Sequence, residues 1–159
     1  MTAALSPDDP AITARQRRLA ILARTDATAL QQAWDGLAEK PRYRHLKVPE
    51  TGLVMVRARA GGVGQRFNLG EMTVTRCVVA VEAAGRELMG VGYVQGRDAR
   101  KAELVALFDA LALDPAHAPK IEADLIVPAQ KLLAEKRQKR AEKVAATKVD
   151  FFTLVRGEG

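Results

Sequence analysis

The chain has 159 residues, 48% hydrophobic, 28% charged and 4% aromatic, with a formal net charge of +6. That length suits one domain with a real core, and the composition is that of a globular rather than a disordered chain. No apolar run nears the roughly 18 residues of a bilayer-spanning helix, and the single cysteine, Cys77, excludes an internal disulfide or a multi-cysteine metal site.

Residues 1–11 carry Pro7, Asp8, Asp9 and Pro10 and read as a loose tail ahead of a single α+β domain over 12–159. The start MTAALSPDDPAITARQ has neither the basic beginning nor the apolar stretch of a secretory signal, so a cytoplasmic protein is expected. From Thr13 to Leu37, Leu19, Ile21, Leu22, Leu30, Trp34 and Leu37 recur near helical spacing. Thr25-Asp26 splits this stretch into two helices, one of the pair capping the second; Gly36 and Pro41 close it.

At TGLVMVRARA the period changes to two. Val54, Val56, Ala58 and Ala60 share one face, while Leu53, Met55, Arg57 and Arg59 share the other, which begins apolar and turns basic. GEMTVTRCVVAVEA and ELMGVGYVQG complete three strands joined by glycine-bearing turns at Gly61 to Gly64 and Ala84-Gly85-Arg86. Without a crossover helix between them, these strands predict an antiparallel β-meander and not a parallel sheet.

Asp98 caps a helix with apolar positions Ala102, Val105, Phe108 and Leu111, which ends at Asp114-Pro115 and forms the packed middle helix. A short apolar piece, Ile121 to Val127, meets Pro128; a long charged helix follows from about Ala129 to Lys148, and then VDFFTLVRG. Between Ala129 and Val149 seven basic residues, Arg140 and Lys143 among them, face two acidic ones. Such a helix is either a solvated face or a dock for nucleic acid or an acidic protein surface.

The glycine cluster raises the question of phosphate binding. A dinucleotide fingerprint needs GxGxxG between a strand and a helix. Here Gly62-Val63-Gly64 supplies only the first glycines, and a strand follows. Two readings stay open: a plain turn, or a backbone nest that contacts an anion beside Arg59 and Arg66. Glu71, Arg76, Arg97 and Asp98 are further candidates, arginine for bidentate contact with phosphorus oxyanions and carboxylate for proton transfer. Asp98 already has a capping role, and Glu71 and Arg76, five apart in a strand, fall on opposite faces. Cys77, inside VTRCVV, reads as a small buried residue. His45 and His117 lack HxxxH or HExxH spacing, and no metal site is signalled.

Three blocks carry a family likeness: ETGLVMVRARAGGVGQRFNLGEMTVTR (Glu50 to Arg76), GYVQGRDARKAELVALFDAL (Gly92 to Leu111) and VDFFTLVRG (Val149 to Gly157). In order and spacing they resemble the G subunit of the bacterial carbon–phosphorus lyase core complex. Leu154 stands where that family has Met, a volume-conserving difference.

The resemblance implies an accessory, largely structural subunit in phosphonate breakdown, one of several different chains in a core assembly. A nucleosidase-like subunit would be its most direct partner, with an ATP-binding-cassette-type subunit joining transiently. The assembly replaces the adenine of MgATP by methylphosphonate, giving α-D-ribose 1-methylphosphonate 5-triphosphate. MgATP is then a substrate of the complex, and no cofactor is expected on this chain. In that reading Phe151, Phe152 and Leu154, with Arg140 and Lys143 of the basic helix, pack on partner chains. An enzyme-class alternative has Arg59, Arg66, Glu71, Arg76 and Arg97 lining a phosphonate or triphosphate pocket. A third, a basic nucleic-acid-binding module, lacks stacking aromatics and any known nucleic-acid-binding motif. No membrane partner is expected.

Overall fold

The computed structural model describes residues 9–60, 63–83 and 85–146. Helix α1 (Pro10–Leu22) opens on Asp9, whose carboxylate accepts from the Ala11 amide at 2.8 Å, with Pro10 in the first turn where a missing N–H costs nothing. The helix thus takes in the last two residues of the predicted tail. The chain turns at Thr25, whose hydroxyl donates to the Ile21 carbonyl at 2.9 Å. Asp26 then caps α2 (Ala27–Asp35), accepting from the Thr28 amide at 2.9 Å. Leu30 and Trp34, four apart on α2, are buried.

Three strands follow, β1 (Tyr43–Arg59), β2 (Arg66–Ala83) and β3 (Arg86–Gln95), in the antiparallel order β1-β2-β3. The fold is the α+β meander read from the sequence. β1 begins eight residues before the predicted strand, at Tyr43 and not Thr51. Pro49 hides this extension in the sequence. Proline is tolerated because β1 is an edge strand, and register shifts between His45 and Lys47 and between Lys47 and Glu50 take the irregularity. β3 pairs with β2 only from Val74 to Ala83, whereas β1 pairs with it from Arg66 to Val81. Beyond Val74 the sheet is therefore a two-stranded arm.

Helix α3 (Ala99–Leu111) is buried continuously from Leu104 to Leu111. An apolar helix without a polar face needs cover all round. Below, it lies on the β2–β3 face; above, it joins α1, α2 and the C-terminal helices in one core. Asp98 caps it, accepting from the Lys101 amide at 2.8 Å. After α4 (Ala118–Ile121), a π-helical turn (Glu122–Ile126) leads into α5 (Val127–Ala146). The π turn has a local cause: Pro128 has no N–H for the Asp124 carbonyl four residues back, so the ladder shifts register there. α5 leans on the core through Ala129 and Leu133 only and has no fully buried residue.

Candidate functional site

All the described helices lie on one face of the sheet. β2 turns Thr75, Cys77, Val79 and Val81 toward α3, and all four are buried. The opposite face carries Val54, Met72, Val78, Met89, Val91 and Tyr93, with Met89 54% and Tyr93 46% exposed. Ion pairs of Arg44 with Glu87 and of Arg76 with Glu50 lie along this second face. An apolar sheet face crossed by ion pairs, with none of the described helices over it, has the make-up of a contact surface.

The arm continues the α3-side face past the end of α3. Leu53 and Met55 stand there 62% and 51% exposed. Farther out, Arg57 pairs with Asn68 and Arg59 pairs with Arg66. Glu71 sits opposite Met55, one rung closer to the body. Between the Val56–Gly70 and Arg57–Asn68 pairs, Leu69 is an extra residue in β2, a β-bulge. That bulge brings Arg66 onto the same face as Glu71, although five residues separate them.

The structure therefore gathers Arg59, Arg66 and Glu71 and adds Arg57, which the candidate set omits. Arg57 was visible in the basic half of its strand face, but no motif singled it out. Arg76 does not join them. It points to the opposite face and pairs with Glu50, whose carboxyl is held below its usual range by hydrogen bonds from Lys47 first and Arg76 second. Arg97 is exposed at the base of the arm, just after Gly96, whose amide donates to the Thr73 carbonyl at 2.9 Å. The glycine cluster joins β1 to β2 with no helix after it, and the Gly64 amide closes the turn on the Ala60 carbonyl at 3.1 Å. Arg140 and Lys143 are exposed on α5; Phe151, Phe152 and Leu154 lie outside the described residues.

One charged cluster was not anticipated. The Glu103 carboxylate on α3 accepts from Tyr43 Oη at 3.1 Å, lies 2.9 Å from His45 Nε2 and pairs with Arg100, whose Nε donates to Gln31 at 3.0 Å. Burial alone would raise Glu103, but hydrogen bonds from Arg100 and Tyr43 outweigh it and hold the carboxyl below its ordinary value. Trp34 packs edge-on against Tyr43 at 6.1 Å. The cluster ties α2, α3 and the edge strand together. It was not legible because its members are up to 72 residues apart, from Gln31 to Glu103.

Cys77 is fully buried, with its thiol 3.5 Å from the Lys47 carbonyl. Burial first, and the charge of Glu103 second, push the thiol from 9.0 up to about 11. A shift of that size leaves about a hundredfold less thiolate at neutral pH. An aromatic disulfide reagent should label Cys77 at least that much more slowly in the native protein than in denaturant. Equal rates would show that the thiol is reached in the folded state.

Among the described residues, no group of three or more His, Cys, Asp and Glu side chains is placed to hold a metal ion. Nor is any described helix long and apolar enough to cross a membrane. An apolar groove of about 430 Å³ lies between α2 and α5, lined by Ala29, Ala33, Leu125, Leu132 and Leu133.

Fold and surfaces together define an α+β protein whose sheet is covered on one side and extended by a basic-tipped arm. Residues 13–157 match the family described as phosphonate metabolism protein PhnG, and the chain belongs to that family. It is 45% identical over 158 residues, 99% of both chains, to the alpha-D-ribose 1-methylphosphonate 5-triphosphate synthase subunit PhnG of Rhizobium meliloti (strain 1021).

Proposed function

We propose that this chain is the G subunit of an α-D-ribose 1-methylphosphonate 5-triphosphate synthase and serves phosphonate breakdown as a docking subunit. The full-length 45% identity to a chain of that name carries the reading. The sheet face that no described helix covers supports it, because burial against another protein stabilises the exposed Met89 and Tyr93. A nucleosidase-like subunit covers that face most directly, and an ATP-binding-cassette-type subunit joins transiently. The complex takes MgATP as substrate and displaces its adenine with the phosphonate; this chain supplies contact surface and not the reacting centre.

Co-expression with the other subunits tests the reading. The wild-type chain should co-purify with them, and adenine release should require it. Met89→Lys with Tyr93→Lys should abolish co-purification, while circular dichroism of the isolated variant stays that of the wild type. A wild-type chain that never co-purifies removes the reading.

A further inference from the structure

Among the described residues, the arginines at the end of the arm make no ion pair within the fold. Arg15, Arg44, Arg76 and Arg100 each face a carboxylate: Asp109, Glu87, Glu50 and Glu103. Among the described residues, Arg57, Arg59 and Arg66 have no such partner. Arg59 and Arg66 are directly opposite each other in the β1–β2 register. Directly opposed residues hold their Cβ atoms about 4.5–5.5 Å apart, and like charges at that distance destabilise a strand pair. The sheet thus carries a repulsion that an outside anion would relieve.

From these positions we infer that Arg57, Arg59 and Arg66 form one wall of an anion site for the triphosphate of the nucleotide substrate. The inference rests on the docking reading and extends it to the α3-side face of the arm, where a partner subunit supplies the other wall. Guanidinium groups bind phosphorus oxyanions through paired, planar N–H donors, so cations on two neighbouring rungs suit a chain of phosphates better than a single one. Asn68, opposite Arg57, adds an amide to the same face. The carboxylate on this face, Glu71, stands one rung inboard and makes no ion pair with the arginines. Met55, level with Glu71, and Leu53, inboard of it, offer apolar contact beyond the charged end.

The test is the reconstituted complex carrying Arg59→Gln and Arg66→Gln together, with assembly followed by gel filtration and turnover by adenine release. Each lost charged hydrogen bond of this kind weakens binding about tenfold to a hundredfold. The variant should assemble like wild type, and its KM for MgATP should rise by at least that factor, with the KM for methylphosphonate within about twofold of wild type. Arg59→Lys should recover part of the loss. An unchanged KM for MgATP overturns the assignment. So does a rise confined to the phosphonate KM, which would place the phosphonate at this face. Failure of the Gln variant to assemble, where wild type assembles, overturns it too and makes the arginines contacts for partner carboxylates. A wild-type chain that does not assemble sinks the docking reading and, with it, the site's second wall.

Discussion

Asp109→Ala is expected to destabilise the protein by about 3–5 kcal/mol, the range for breaking one side of a buried ion pair. Asp109 lies in the middle of α3 with its side chain 0% exposed. Its carboxylate accepts from Arg15 Nη2 at 2.7 Å and Nε at 3.1 Å, and from the Val91 amide at 3.0 Å. Arg15 Nη2 also donates to the Met89 carbonyl at 3.0 Å. One carboxylate therefore fastens α1, α3 and β3 at a single point. The hydrogen bonds that Arg15 donates to Asp109 raise the Arg15 guanidinium against the opposing effect of burial, which keeps the guanidinium charged.

Alanine at position 109 leaves the Val91 amide unsatisfied and the guanidinium without its partner. In urea the midpoint should fall with little change in slope, and the melting temperature should drop by on the order of 10 °C. Arg15→Met with Asp109→Leu should recover part of the loss, because removing both charges also removes their desolvation cost. If Asp109→Ala melts within about 0.5 kcal/mol of wild type, the range of ordinary surface changes, the latch contributes nothing.

Gly92→Ala should be comparably damaging for a steric reason. A Cβ at Gly92 would stand 1.9 Å from the Ala102 carbonyl oxygen, and one at Gly90 the same distance from that of Ala106. These contacts are with the backbone of α3, so no rotamer change relieves them. The helix would have to lift from β3, loosening the run from Leu104 to Leu111 that it buries. Overpacking in a core costs about 1–3 kcal/mol and more where nothing can yield, so Gly92→Ala belongs at or beyond the top of that range. Gly52→Ala is the control: a Cβ there meets nothing within 4 Å, and stability should stay within about 0.5 kcal/mol of wild type. Equal stabilities for Gly92→Ala and Gly52→Ala would disprove the close approach of α3.

Several features were legible because their causes are local. The caps at Asp26 and Asp98 use an acceptor that reaches an amide two or three residues on. Alternation along TGLVMVRARA and GEMTVTRCVVAVEA, with glycines between, is enough for an antiparallel meander. The same alternation separated the apolar Val54 and Val56 from the row that ends in Arg57 and Arg59. Glu71 and Arg76 were correctly set on opposite faces by counting.

Counting misleads at Arg66. By parity it belongs on the face away from Glu71, yet the bulge at Leu69 carries it round to meet Arg59. A register shift comes from how two strands settle against each other, and neither strand announces it. Nor could the sequence say that Gly90 and Gly92 mark the seat of α3, or that Asp109 meets Arg15 across 94 residues. Local preference determined the helices, the strands, the turns and the two sides of each strand. Long-range packing decided which side α3 covers, which side no described helix covers, and which of the described arginines of the arm stand without a carboxylate.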